Sequence, residues 1–357
     1  MIVTKLTLRN FRNHTHLELN FDKGLNIIIG DNAEGKTNIV EAIHFLSLAR
    51  SFRGGETTDL ITKSSQFATI EARVEQSATA KEIRAVLTSS SKKITCNKKP
   101  VKRISELSSL INVIVFEPKD ALMFIGSPLV RRNFIDISLS KKSPLYLEAL
   151  MAYERLLKER NHLLKQDKVD LIQLDVVTKQ IIDVSETIVK YRVAYVNEIN
   201  NVLPKIVSTL KGEKESAHLT YTPFVRCDSK FKENALNAYT RIQESDIKHK
   251  ATQIGIHRED ISMILNGEDV ATHGSQGENR LVVIALKLTP YFLIEDKDER
   301  PIVVLDDVMS ELDKETQARL VTFLRKLEQV FITSTNTKIT NASIYEVKEH
   351  KVIRRNA

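Results

Sequence analysis

Cysteine is nearly absent from this chain: Cys96 and Cys227 stand far apart in 357 residues. With no C-x-x-C pair, they indicate neither a disulfide framework nor a zinc site. The nine histidines show no metal-ligand spacing, and His14 and His16 are expected together on one face of a surface strand. Long apolar runs are missing too. Stretches such as Leu281–Leu286 fall far short of the roughly 18 residues that a membrane span requires. Met1–Arg12 alternates like a strand and has no signal-peptide core, so a cytoplasmic setting is expected. No internal repeat or low-complexity segment interrupts the chain. Positive charge is what the chain has in surplus, with 53 Lys and Arg against 46 Asp and Glu, a net +7. That surplus favours polyanionic partners but is no more than a basic soluble enzyme carries. The length allows two domains and a sizeable core.

Two pieces of one nucleotide site lie at opposite ends of the chain. Gly30-Asp31-Asn32-Ala33-Glu34-Gly35-Lys36-Thr37 matches G-x-x-x-x-G-K-[ST]. The apolar strand Asn26–Ile29 precedes it and an amphipathic helix from Asn38 to Leu46 follows, the context that such a motif requires. Backbone N–H groups from Gly30 to Lys36 would curve around phosphates, and the helix N-terminus would add its positive dipole end. Lys36 would place an ammonium between the β- and γ-phosphates, and the Thr37 hydroxyl would take a position on Mg²⁺.

Near the other end, Pro301–Leu305 is a short apolar strand running into Asp306 and Asp307. Carboxylates there belong at the C-terminal edge of a buried parallel strand, where ligands bind in open α/β sheets. Asp306 would hold Mg²⁺, and Asp307 would point at the water attacking the γ-phosphate. Ser310-Glu311-Leu312-Asp313 follows at the spacing of the D-loop of ABC-type ATPases. Upstream, Gly274-Ser275-Gln276-Gly277-Glu278 reads as a diverged ABC signature, and equally as an ordinary helix cap. Its order in the chain favours the signature: P-loop, signature, carboxylate strand, D-loop. In an ABC-type head the P-loop and the signature lie too far apart to share a nucleotide. Two copies would therefore face head to tail, with Ser275, Gln276 and Gly277 of one capping ATP held by the other.

These residues resemble the RecF family, relatives of SMC heads without the long coiled coil, over nearly the whole chain. The segments carrying the resemblance are Leu8–Asn13, Gly35–Ile43, Ser51-Phe52-Arg53, Phe116–Asp120, Gly126-Ser127-Pro128 and Arg131–Asp136. Tyr153 to Leu164, Gly255–Asp260 and Leu305–Asp313 complete it. The resemblance implies an α/β, ABC/SMC-head-like P-loop ATPase with a mostly helical second lobe. It implies ATP and Mg²⁺ as cofactors and weak, DNA-stimulated hydrolysis. It further implies ATP-dependent dimerisation on DNA gaps or junctions, single-stranded DNA included, that helps to load a recombinase during recombinational repair, replication-fork maintenance and the SOS response. RecR is the implied partner, with RecO in the same pathway. Lys36, Asp307 and Ser275 (in trans) would carry the chemistry.

Departures from the wider ABC pattern are local. No glutamine stands in the Q-loop region near Phe116–Lys119, where Glu117 is the available substitute. Ser334 sits where transporters carry a switch histidine, and Asp307 is one methylene shorter than their glutamate. A small-molecule transport cassette, the alternative class, calls for that glutamine, that histidine and a hydrophobic coupling surface. A non-hydrolysing clamp is a third reading.

The expected division is 1–125 with 278–357 as the ATPase lobe, and 126–277 as the helical lobe. Hairpin turns are expected at Asn97-Lys98, between Lys93–Cys96 and Pro100–Ile104, and at Asn266-Gly267. Helical stripes recur at Tyr146, Leu150, Tyr153, Leu157 and Leu164, then at Ile188, Tyr191, Tyr195, Ile199, Val202 and Ile206. They suggest an antiparallel helical hairpin with Pro204 as a kink. Residues 211 to about 250 read as polar and irregular. Asn97–Pro100 lacks the carboxylate of a guanine-reading N-K-x-D, and His273 excludes G-x-S-x-G around Ser275. Lys92, Lys93, Lys98, Lys99, Lys102 and Arg103 form a basic group that suits either phosphate contact or a solvated hairpin tip.

Overall fold

The computed structural model describes every residue except 78, 104, 105, 213, 337, 338, 356 and 357. Ile104, at the end of the expected first hairpin, lies outside the described residues. The chain divides into two compact units, one of 1–121, 205–214 and 280–357, the other of 122–204 and 215–279.

The first unit contains two six-stranded sheets. Antiparallel strands β1 (Ile2–Phe11), β2 (His14–Asn20), β4 (Phe67–Gln76), β5 (Thr79–Thr88), β6 (Lys92–Cys96) and β7 (Lys99–Pro100) form one, in the order β2-β1-β4-β5-β6-β7. β1 and β4 alternate buried and exposed residues, as a sheet with one wet face must. The other sheet runs β15-β14-β3-β13-β12-β8. Its strands are β3 (Gly24–Gly30), β8 (Val113–Phe116), β12 (Ile302–Asp306), β13 (Gln329–Ser334), β14 (Ser343–Lys348) and β15 (Lys351–Arg355). All but β15 pair in parallel. The aliphatic runs of β3, β12 and β13 are buried along almost their whole length, as parallel strands covered on both faces are. Gln329 is fully buried and bonds both backbone groups of Val3 at 2.8 Å, tying the two sheets together. Helix α1 (Lys36–Leu48) packs into the core between them, with Ile39, Val40, Ile43 and Leu46 fully buried. Short α2 (Leu107–Leu110) and α9 (Lys314–Leu324) also belong to this unit.

The second unit is mostly helical, with α3 (Pro128–Lys142), α4 (Pro144–Leu164), most of α5 (Leu171–Lys211), α6 (Phe231–His249) and α7 (Val270–His273). It carries a small sheet of β9 (Ala217–Thr222), β10 (Asp260–Leu265) and β11 (Glu268–Asp269). Helix α8 (Gln276–Phe292) begins in this unit. Two positive-φ residues make each hairpin turn, Asn97-Lys98 and Asn266-Gly267, the conformation that matches strand twist. Pro204 lies inside the continuous helix α5.

Two sequence expectations are corrected here. The stretch from 211 to 250 is not irregular: it holds β9 and the 19-residue α6. The buried face of α4 is Tyr146, Tyr153, Leu156, Arg160, Leu163 and Leu164; of the expected stripe, Leu150 and Leu157 are only half-buried. Arg160 belongs to that face because Asp246 of α6, equally buried, accepts from its guanidinium at 2.7 Å. Arg192 of α5 is held in the same way by Asp136 at 2.9 Å and Glu259 at 2.8 Å. Buried ions survive only with such partners, and removing one partner costs about 3–5 kcal/mol.

Candidate nucleotide site

The P-loop leaves β3 at Gly30 and enters α1 at Gly35. Both glycines have positive φ, 155° and 106°. A Cβ on Gly35 would stand 2.7 Å from the Asn13 amide oxygen and 2.8 Å from His14 Nε2, and one on Gly30 would collide with the Val347 carbonyl. The loop is thus pressed between β2 and β14, and only glycine fits at its two ends. Asp31, Asn32 and Ala33 are exposed along its crest, while Glu34 is half-buried.

Lys36 is buried, and its ammonium donates to the carbonyls of Gly30 at 2.6 Å and Asp31 at 2.9 Å. Burial lowers its pKa, opposed by the charges of Asp307 and Asp306. The Thr37 hydroxyl donates to Asp306 Oδ1 at 2.8 Å, across 269 positions of sequence. Thr333, at the end of β13, donates to the same oxygen at 2.7 Å, and its hydroxyl accepts the Asp307 N–H at 2.9 Å. Burial pushes the Asp306 carboxyl up, the two threonine hydroxyls pull it down, and Asp307 adds to the rise. Asp307 is half-buried and left-handed, φ 51°. Strand order explains the meeting: β3, β13, β12 and β8 are successive parallel neighbours, so their C-terminal ends share one edge. Glu117 follows β8 on that edge, since Phe116 pairs with Leu305. Burial raises its pKa, while the Lys119 ammonium, 2.8 Å away, holds it down.

Several neighbours escaped the sequence reading. Glu41 of α1 is fully buried and takes a two-pronged bond from Arg12, at 2.9 and 2.6 Å, and one from Ser51 at 2.5 Å. Arg53 donates to Asn38 at 3.1 Å, and its charge is felt at Asp306. Asn38 in turn bonds Asn13 at 2.6 Å, and Asn13 meets His350 at 2.8 Å. His350 lies in the β14–β15 turn, against the Glu34 carbonyl at 3.1 Å. The residues come from four segments, so no window of sequence shows them together; Leu8–Asn13, Gly35–Ile43 and Ser51-Phe52-Arg53 carried the family resemblance, but nothing in the sequence joined them to one another or to His350. His14 and His16 lie two apart in β2 and so on one side of it, but only His16 is exposed: His14 is buried, 3.3 Å from the Gly35 carbonyl. At the end of β13, Thr333 rather than Ser334 reaches the carboxylates; the Ser334 hydroxyl bonds the Asn336 carbonyl.

Ser275, Gln276 and Gly277 are exposed at the start of α8. Ser275 and Glu278 form a reciprocal capping box: each backbone N–H reaches the other's side chain, at 3.0 and 3.2 Å. Asp313 caps α9 through the N–H groups of Glu315 and Thr316.

Among the described residues no cluster of three His, Cys, Asp or Glu side chains could hold a metal alone. The paired oxygens of Thr37 and Asp306 are hard donors suited to Mg²⁺, which takes few protein ligands and fills its shell from phosphate and water. No helix among the described residues is long and apolar enough to cross a membrane.

Comparison with known proteins places this geometry. The sequence matches the RecF/RecN/SMC N terminal domain family over residues 2–354. It is 36% identical to the DNA replication and repair protein RecF of Halalkalibacterium halodurans, across 98% of each chain. It is 35% identical to the Bacillus subtilis protein of that name, across 94% of each. A structure of the recombination mediator RecF with ATP, described as part of the RecFOR pathway, superposes with a TM-score of 0.89 at 28% identity, covering 99% of this chain and 97% of that one. The Smc head domain from Pyrococcus furiosus shares the fold, with a TM-score of 0.58 at 18% identity over 99% and 96% of the two chains. The chain belongs to the RecF family.

Proposed function

We propose that this protein is an ATP-dependent DNA-binding protein of recombinational repair and replication. In this reading it dimerises on DNA with ATP bound, hydrolyses ATP slowly and works with RecR, with RecO in the same pathway. The observation that carries the reading is the node in which Thr37, Thr333 and the Asp307 N–H converge around Asp306. It joins the P-loop to the second carboxylate strand, as ATP hydrolysis requires. Relatives named for DNA replication and repair match along their full length, and a RecF structure with ATP shares the fold.

In this reading each group of the site has a role. The Gly30–Lys36 N–H groups and the Lys36 ammonium bind the phosphates. Thr37 and Asp306 would hold Mg²⁺, and the ion would supply positive charge to the phosphoryl group being transferred. Asp307, on the same edge and free of the hydroxyl pair that occupies Asp306, orients the attacking water. Ser275, Gln276 and Gly277 present the exposed N-terminus of α8 to the nucleotide of a second copy.

DNA binding is the part to test first. Affinity for duplex and single-stranded DNA of mixed sequence, measured by fluorescence anisotropy with ATP, is expected to be insensitive to base sequence. It should fall steeply as salt rises, because Lys and Arg displace counterions from phosphates. Affinity that does not change across a salt titration would overturn the reading.

A further inference from the structure

Residues 49–53, which lead out of α1 and carry Arg53, are held from several sides. Lys92 donates to the Ala49 carbonyl at 2.7 Å, and Lys119 to the Phe52 carbonyl at 2.7 Å. Ser51 donates to Glu41, Arg53 to Asn38, and the Phe52 ring meets His44 edge-on at 5.4 Å. Two of these anchors, Lys92 and Lys119, are cations spending donors on neutral carbonyls at the protein surface.

Beside Lys92 the surface opens into a hollow of about 500 Å³, lined by Gly55–Thr58 on one side and Ser89–Lys92 on the other. Five of its eight lining residues carry hydroxyls, and the hydroxyls of Thr57, Ser89 and Ser90 have no intramolecular partner among the described residues. Lys92 keeps two ammonium protons beyond the one given to Ala49. The single acidic lining residue, Glu56, is held in a capping box with Asp59 and keeps its negative charge, which Lys92 and the free hydroxyls must outweigh. Uncommitted hydroxyls around one exposed ammonium suit an anion held by many weak donors. Serine, threonine and lysine are the side chains that contact DNA backbone oxygens without reading sequence.

We propose that this hollow seats a backbone phosphodiester of DNA, with Lys92 as the shared element between the DNA and the segment that positions Arg53. A phosphate drawing on the Lys92 ammonium competes with the Ala49 carbonyl, so occupancy of the hollow is felt at Arg53 and α1. DNA would then influence ATP turnover through five residues of chain. The inference rests on the DNA-binding reading above and adds the site and the route.

The test uses the full chain with ATP and a fluorescein-labelled duplex of mixed sequence, over a salt series. Lys92→Gln should weaken binding about 3- to 10-fold for all sequences alike, and lower the slope of log affinity against log salt by about 1. The double variant Ser89→Asp with Ser90→Asp, at exposed turn positions, should lose more. Lys98→Gln removes the same charge from the adjacent turn, outside the hollow, and should change affinity less than Lys92→Gln. At saturating DNA, Lys92→Gln should also reduce the ratio of ATP turnover with DNA to turnover without it. Parental affinity and slope in both hollow variants, or an equal loss in Lys98→Gln, would overturn the seat while leaving the parent a DNA-binding protein. A parent that binds no DNA would overturn the functional reading and the seat together.

Discussion

Asp306 and Asp307 are neighbours in sequence with opposite surroundings. Asp306 is buried and accepts two threonine hydroxyls; Asp307 is half-buried, with its N–H taken by Thr333 and its backbone left-handed. In the proposed reading the first would hold a cation and the second would act on the water beyond it. Asparagine adopts left-handed φ readily, so Asp307→Asn should preserve the turn while removing the charge that orients water. ATP should still bind, turnover should fall about 100-fold or more, and nucleotide-bound dimers should accumulate. Phosphate release and sedimentation with ATP measure both. Turnover at the parental rate would move the role to another group on the edge, with Glu117 the nearest in register. At this scale the sequence was legible where the candidate site is contiguous, as in Gly30–Thr37 and Asp306-Asp307, which the structure brings together. It was silent on Thr333 and His14, ordinary residues whose importance comes only from what the sheet order places beside them.

Elements were legible in proportion to their apolar contrast. The aliphatic runs of β3 and β12 announce buried strands, and Asn97-Lys98 and Asn266-Gly267 announce their hairpins. Helix α6 was missed because its buried residues are Phe231, Ala235, Tyr239 and Asp246, one aliphatic stub and one carboxylate among four. A helix that buries an ion pair has a polar core face, and periodicity counted on apolar residues passes over it. The same polar interior makes the second unit sensitive to acid. His257 bonds Tyr153 at 2.6 Å through Nδ1, and Nε2 lies 3.2 Å from the Thr252 carbonyl. Burial lowers its pKa to about 4, with Arg258, Arg132 and Arg160 adding repulsion. The unfolded histidine titrates near 6.5, so the folded state binds fewer protons between those values. Stability is therefore full above 6.5 and is lost as pH falls towards 4. Glu259, pushed up by burial, has the opposite dependence, so the comparison must be between variants. His257→Gln should flatten the decline, narrowing the gap to the parent by about 2 kcal/mol at pH 4. Melting temperature against pH for both proteins checks it; parallel curves would mean that His257 titrates alike in the folded and unfolded states.

For the whole molecule, the governing fact is that one chain carries one P-loop and one Ser275–Gly277 turn. Each copy also has a net charge of +7, so two copies repel until polyanions join them. ATP brings negative charge to the face where an α8 N-terminus would arrive, and DNA brings more; ADP lacks the γ-phosphate that the facing N–H groups would meet. Dimerisation should therefore depend on ATP, and Ser275 is where to interrupt it. Its present bonds are those of a helix cap, so a variant must separate capping from contact in trans. Ser275→Asp keeps a good N-cap yet sets a carboxylate against the partner's phosphate. Ser275→Arg removes the cap, at a cost of about 1 kcal/mol, and adds bulk between the faces. Both should bind ATP as monomers and fail to dimerise in sedimentation with ATP. If Ser275→Arg alone lost the dimer, a contact of Ser275 with the partner's phosphate would be excluded and the loss would come from the missing cap or from bulk. If both dimerised as tightly as the parent, Ser275 would serve only its own helix, and the two nucleotides would have to be bridged by some other surface.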